Sequence, residues 1–380
     1  MKRVRFLVSL FYLACIALFL FSYTQVDLNL TLSRTGVVQH IQKSFQYIGY
    51  YQRPLATAIY GSILSLFFVL YGYLSWLAYK KQLTLSVIRR LIAGATLLLL
   101  FSYPAAFSYD FFNYLFTAKT VLVYHHNPYT VIPLQFAGID PWTNFMRWTH
   151  LSSAYTPLWI AMSMVPYILG LGYFIPVLFA TKFFIAACYL ASCYAIVRIA
   201  EAIDPDKKPF ILTVFALNPL LIVETLVSGH NDIVLVLFAL FSILMYIKKR
   251  YDAAWLLLGL SVATKLMTIF LVPVYLLRKN RWYLFVFMAA GLILVLLKRE
   301  FLPWYWVWML PVVALNYERV RLLRFSFVVS AALLLSYAPY LYYGEYSALS
   351  QAWKTGIIWT GVALGAVTAI FFPKPTATNG

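Results

Sequence analysis

Ten apolar runs dominate this chain, each long enough to cross a bilayer or most of one. They lie near 7–23, 55–78, 91–108, 175–199, 210–228, 232–247, 282–297, 304–317, 324–343 and 356–372. Hydrocarbon offers no partner to a backbone N–H or C=O, so segments of this kind fold as helices. The expected fold class is an all-α polytopic membrane protein. The composition agrees, at 63% apolar and 11% charged residues, far from a soluble globule. No low-complexity tract and no 20–50-residue repeat stands out. A net charge of +18 could suggest nucleic acid, but the basic residues form short clusters between apolar runs, as topology signals do. No nucleic-acid partner is therefore expected. Cys15, Cys188 and Cys193 all fall inside apolar runs. They suit neither a disulfide framework nor a CxxC metal site. The N-terminal "MKRVRFLVSLFYLACIALFLFSYTQ" starts like a signal peptide but lacks a small-x-small cleavage site, and reads as an uncleaved first span.

The basic clusters are Lys2/Arg3/Arg5, Lys80/Lys81/Arg89/Arg90, Arg198/Lys207/Lys208, Lys248/Lys249/Arg250, Arg278/Lys279/Arg281 and Arg319/Arg321/Arg324. With Lys374 they hold 20 of the 30 lysines and arginines. The positive-inside rule places them, and both termini, in the cytoplasm. Parity then forbids a single simple crossing by 155–172 or by 253–277. Both are expected to be broken or re-entrant, with Pro157, Pro166, Gly170, Gly172 and Pro273 making the breaks. Irregular backbone at membrane depth needs a protein-lined or water-filled cavity. The opposite face receives Asp110–Ser153, "SGHND" at 228–232 and "LKREFLPWYW" at 297–306.

Candidate chemistry gathers on that face. Asp110, Asn113, Tyr114 and Thr117 recur at helical spacing, opposite Phe111, Phe112, Leu115 and Phe116. The pattern predicts an amphipathic interfacial helix. Asp110 is either its cap or a general base at the membrane surface, where exposure would keep its pKa near the ordinary value of about 4. His125, His126, Asn127 and Tyr129 form either a plain interfacial turn or part of a pocket. "GIDPWTNFMRWTHLSSAYTPLW" carries Asp140, Arg147, His150 and Tyr155 and suits a second interfacial helix, with Arg147 facing a phosphate or lipid headgroups. Glu224 lies inside an apolar run, and His230, Asn231 and Asp232 lie between two runs. Intramembrane ionisable residues cost about 2.5–3.5 kcal/mol and mark functional sites by default. Lys265 divides two half-length apolar segments, where a re-entrant tip would aim it into the cavity at an anionic ligand. Lys298 and Arg299, with Trp304 and Tyr305, form either an aromatic belt or a lipid-phosphate clamp. "NLT" at Asn29–Thr31 is a glycosylation sequon, meaningful only in a eukaryotic secretory membrane.

"SYDFFNYLFTAKTVLVYHHNPYTV", "LNPLLIVETLVSGHND", "ATKLMTIFLVP" and "PWYWVWMLP" together resemble, in order, the membrane-embedded GT-C glycosyltransferases. The nearest group is the bacterial polyprenol-phosphate-mannose-dependent mannosyltransferases, including the glycosyltransferase 87-like and alpha-1,6-mannosyltransferase branches. The resemblance covers roughly 100–317. It implies a GT-C-like bundle of about 10–12 transmembrane and re-entrant helices. A two-helix addition would occupy 1–90, the catalytic core 91–317, and C-terminal spans 318–380. It implies a polyprenyl-phosphate-linked sugar donor, a glycan or glycolipid acceptor, and inversion at the anomeric carbon on the extracytoplasmic face of a bacterial or archaeal plasma membrane. The family's acidic base matches Asp110, and its second acidic position matches Asp232. Asp110 stands alone rather than in an Asp-x-Asp pair, which favours a phosphate leaving group over a metal-bound nucleotide sugar. No cofactor is expected, and a divalent metal stays open. A lipid-linked sugar flippase and a glycan polymerase or ligase are the rival functions.

Overall fold

The computed structural model describes residues 2–371; the tail that carries Lys374 lies outside the described residues. The chain is all-α, with no strand among the described residues. In order, the helices are α1 (Lys2–Thr24), α2 (Gly36–Gln46), α3 (Arg53–Tyr79), α4 (Leu85–Leu100), α5 (Asp110–Leu122) and α6 (Pro157–Leu169). There follow α7 (Phe174–Ile203), α8 (Lys208–Ala216), α9 (Pro219–Ile222), α10 (Asp232–Ile247), α11 (Tyr251–Thr264) and α12 (Val272–Leu276). The last are α13 (Arg281–Leu296), α14 (Leu310–Leu315), α15 (Val320–Leu335), α16 (Ala338–Tyr343) and α17 (Ala348–Phe371). One apolar core runs from Leu7 in α1 to Ile358 in α17.

Five helical stretches are long and apolar enough to span a bilayer: Arg3–Thr24, Arg53–Tyr79, Phe174–Ile203, Val320–Tyr343 and Ala348–Phe371. A sixth is the pair Pro205–Ala216 and Pro219–Val227, bent by 56° at Leu217 and Asn218. Other runs give shorter helices than the sequence suggests. At 16 residues, α10 and α13 reach about 24 Å, short of the ~30 Å hydrocarbon core. The shortening has a local cause. Polar residues or proline stop these helices early: α10 begins at Asp232, and the turn leading into α14 begins at Pro303.

All six basic clusters lie at one end of the bundle. Arg3 sits over the Tyr73 ring, 5.0 Å away, near the end of α3. Lys81 pairs with Asp206 at 2.7 Å, and Tyr317 donates to Asp204 at 2.6 Å. Arg281 pairs with Glu318. The Tyr246 hydroxyl donates to the Tyr275 carbonyl at 3.0 Å, bringing Lys248–Arg250 beside Arg278 and Lys279.

That last bond settles the path of 251–276. The segment rises from the basic end as α11 and breaks at Lys265, whose backbone is extended (φ −161°, ψ 129°). It then returns through a 3₁₀ stretch and α12 to the same end, and Thr268 bonds Ser261 across the hairpin at 2.8 Å. The re-entrant reading holds, but the break is at Lys265 and not at Pro273, which occupies the first turn of α12 and needs no N–H there. Residues 155–172 differ from expectation as well. α6 is continuous: Pro157 occupies its first turn, and Pro166 sits within it without a break. Gly170, Leu171 and Gly172 turn the chain into α7, with Gly172 at φ +74°. At 13 residues α6 is too short to cross.

Two expected interfacial helices also differ. Both faces of α5 are buried, from Phe111, Phe112 and Phe116 to Tyr114, Thr117 and Thr120. The second face does not meet headgroups because α6 and residues 230–231 cover it: Tyr114 packs on Trp159 and reaches His230 and Asn231. The turn at Gly229 closes on the first face. A Cβ on Gly229 (φ +69°) would meet the Phe111 ring at 2.6 Å. Residues 133–153 form short 3₁₀ turns instead of an α-helix. Pro133 and Pro141 interrupt the segment, and the Asp140 side chain caps Trp142 N at 3.0 Å. The buried Asp140 is also held by Lys119 at 2.6 Å and Tyr124 at 2.9 Å.

Candidate active site

Four chain segments converge at the end of the bundle opposite the basic clusters: the start of α5, residues 224–232, the tip at Lys265, and the aromatic turn before α14. The 224–232 segment is set by a buried lysine. Lys182 on α7 donates to Ser102 Oγ at 3.1 Å, to Val227 O at 2.8 Å and to Leu226 O. Those carbonyls terminate a wide helical turn at Val223–Val227, and Gly229 then reverses the chain with its positive φ.

Asp232 begins α10 and is fully buried. Its Oδ1 accepts from Lys265 Nζ at 2.7 Å and from Trp308 Nε1, while Oδ2 has no partner. Lys265 also approaches Asn231 Oδ1 at 3.5 Å and lies 5.4 Å from the Trp308 ring centre. Its side chain keeps about a third of its exposure, so a ligand can reach the ammonium while Asp232 holds it. Glu224 is wholly buried, with Tyr337 donating to it at 3.0 Å and His230 Nε2 at 3.3 Å from Oε2. The His230 ring stacks on Trp304 at 4.1 Å. Tyr114 on α5 reaches His230 Nδ1 at 3.5 Å and Asn231 Oδ1 at 3.4 Å, and packs against Tyr155 and Trp159.

Asp110 is the first residue of α5, one place past the cap position, which Tyr109 holds; its own N–H donates to Ser108 Oγ. The capping alternative therefore fails on geometry. The carboxyl is partly accessible and forms no ion pair among the described residues. Burial of its surroundings pushes its pKa up to about 6, with Asp232 adding to the rise while Lys265 and a hydrogen bond from Trp148 oppose it. The value of about 4 expected from exposure is thus corrected, because α5 is inserted into the protein rather than laid on the membrane surface. A carboxylate in this position is a proton acceptor near neutral pH. An ammonium facing it from the Lys265 tip suits a developing anion.

Other expected site residues stand outside this cluster. His125 (φ +54°), His126 and Asn127 lie in an exposed turn. Tyr129 ties that turn to the Tyr155 carbonyl at 2.8 Å. His150 is exposed beside Trp148. Arg147 pairs with Asp27 at 3.6 Å and lies over the Tyr109 ring. Arg299 interacts with Tyr305 at the rim, Lys298 is exposed, and Tyr305 stacks on Trp308 at 4.6 Å. Asn113 is on α5 with a buried, unpartnered Oδ1. Sequence alone does not single out Tyr337, Trp148, Trp159 or Trp308. Among the described residues, no three His, Cys, Asp or Glu side chains group as metal ligands.

Comparison with known protein families matches residues 29–281 to the alpha-(1->6)-mannopyranosyltransferase N-terminal domain. The chain belongs to that family. It is a multi-pass membrane mannosyltransferase, whose family implies a sugar donor and a glycan acceptor. The mannosyltransferase match contains Asp110, residues 224–232 and Lys265, and stops before the aromatic turn that supplies Trp304 and Trp308. No curated protein and no solved structure matches the chain.

Proposed function

We propose that this mannosyltransferase moves mannose from a polyprenyl-phosphate donor to a hydroxyl of a lipid-linked or cell-envelope glycan, with inversion, on the extracytoplasmic face of the plasma membrane. The observation that carries the reading is Asp110: an accessible, unpaired carboxylate facing the Lys265–Asp232 pair. In the reaction the acceptor hydroxyl attacks the anomeric carbon and Asp110 takes its proton. The bond from that carbon to the phosphate oxygen breaks, and its electrons pass to the phosphate. Lys265 faces the charge that develops there. Asp232 and Trp308 fix the lysine, and Arg299 guides the phosphate at the rim.

Sidedness follows from charge. The site end lies opposite the six basic clusters, and such clusters stay cytoplasmic. A lipid donor also suits a site at a membrane end framed by Trp304 and Tyr305, because its tail can remain in hydrocarbon. The reaction needs only a phosphate leaving group, which the lysine can meet without a nucleotide.

Purified protein incubated with radiolabelled polyprenyl-phosphate mannose and a mannoside acceptor tests the reading. Label is expected in the acceptor. Movement of intact lipid across vesicles without bond cleavage would replace the transferase with a flippase.

A further inference from the structure

A polar cavity, of about 150 Å³, lies apart from that cluster, between the α1–α2 connection and the 140s loop. Asp27, Leu28, Asn29, Tyr50, Asn144, Met146 and Arg147 line it. Its volume far exceeds the ~10–15 Å³ that one water needs, so it has room for a small ligand such as a saccharide unit.

The cavity's polar groups are loosely engaged. Asp27 is buried, and its Oδ1 accepts from the Asn29 N–H at 2.9 Å. Its Oδ2 has only long contacts, 3.4 Å from the Tyr109 hydroxyl and 3.6 Å from Arg147. Charge-assisted bonds normally close to about 2.7–2.9 Å. Tyr50 reaches the Gln25 carbonyl at 3.3 Å, and Asn29 Nδ2 reaches the Asn144 carbonyl at 3.2 Å. Asp27 offsets the charge of Arg147, so the lining presents donors and acceptors with little net charge. That chemistry suits a neutral polyol. It does not suit a phosphate, for which Lys265 is the better partner. Aromatic faces stand close by, where Trp148 approaches Tyr346 and Tyr346 stacks on Tyr340.

The cavity is connected to the base by two pairs of chain neighbours. Tyr109 and Arg147 face Asp27, while Asp110 and Trp148 bond each other. The cavity and the base therefore share walls, formed by Tyr109–Asp110 and Arg147–Trp148.

We infer that the cavity formed by Asp27, Asn29, Tyr50 and Arg147 is an acceptor subsite, which holds a neutral saccharide unit one ring away from the hydroxyl that Asp110 deprotonates. The inference rests on the transferase reading of Asp110. It assigns Arg147 to the acceptor and not to the donor phosphate, and it gives Asn29 a place in sugar binding instead of glycosylation.

The test compares octyl α-mannoside with an octyl α-(1->6)-mannobioside as acceptors for the full chain in detergent. Arg147→Met and Tyr50→Phe should each raise the acceptor KM for the mannobioside about tenfold. The KM for the monosaccharide acceptor, the KM for polyprenyl-phosphate mannose and kcat should stay within about twofold. Saturation-transfer NMR with free α-(1->6)-mannobiose should show binding to the wild type and a loss in both variants. Tyr50→Phe removes one hydroxyl and keeps the ring, so it decides the matter if Arg147→Met fails to fold. Equal changes for both acceptors, an unchanged mannobioside KM in Tyr50→Phe, or a raised donor KM in Arg147→Met would overturn the subsite. A wild type that transfers mannose to neither acceptor would instead overturn the transferase reading.

Discussion

The two ends of this bundle treat their acids in opposite ways. At the basic end Lys81 and Asp206 pair at 2.7 Å with side chains 60% and 73% exposed, and Glu201 and Glu318 meet Arg198 and Arg281 in open surroundings. At the other end Asp27, Asp140, Glu224 and Asp232 are all buried and Asp110 is half-covered, while Glu300 and Glu345 at the rim stay exposed. Exposed pairs gain little and are screened by salt. Buried carboxylates cost several kcal/mol unless cations and donors surround them. A chain with only 12 acids that nonetheless buries four of them, and half-covers Asp110, at one end does so for a reason other than stability. That contrast locates the chemistry.

Removing the cation from the expensive end should have the largest effect. Lys265→Met leaves Asp232 buried with only Trp308 and an unpartnered oxygen. Breaking a buried pair on one side costs about 3–5 kcal/mol, and Lys265's partial exposure points to the lower limit, about 3 kcal/mol. A thermal melt in detergent should show the loss, and donor affinity should fall with it. A variant as stable as wild type would mean that the pair is solvated like those at the basic end.

The next effect is on pH dependence. Asp110 has its pKa raised to about 6, so turnover should fall by about tenfold per unit below pH 6 and level off above pH 7. Stability runs the other way. The folded pKa exceeds the unfolded value of about 3.9. The neutral carboxyl therefore favours the fold, and its contribution is full below that unfolded value and lost as pH rises through about 6. A rate profile still flat at pH 5 would place the base elsewhere. At the basic end, Lys81→Ala should cause no measurable change in melting or turnover, because both partners are already solvated. A clear loss there would erase the contrast between the two ends.

Much of this arrangement was legible in the sequence because it follows from cost. A Glu inside an apolar run, a Lys dividing another and an Asp opening a third are each expensive, and Glu224, Lys265 and Asp232 do meet at one place. The six basic clusters likewise gave the two ends and the re-entrant hairpin. Tyr337, Trp148 and Trp308 were not legible. Their roles depend on which helices become neighbours, and an aromatic in an apolar run reads equally well as membrane belt. The sequence left the histidines at 125 and 126 open between a plain turn and a pocket, since a His-His pair carries no information about burial; both are exposed. The buried state of α5 was missed for a related reason: periodicity describes two faces but not what α6, His230 and Asn231 place against the second.

The central claim is that Asp110 removes the acceptor's proton, and Asp110→Asn tests it most directly. Asparagine keeps the shape and removes the charge. Turnover of polyprenyl-phosphate mannose should fall by about 10²-fold or more, with donor affinity retained. The melting temperature at pH 7.5 should equal or exceed that of wild type, because the ionised carboxyl disfavours the fold at that pH. Turnover within a few-fold of wild type would contradict the account and leave Asp232, with its unpartnered oxygen, as the base to test.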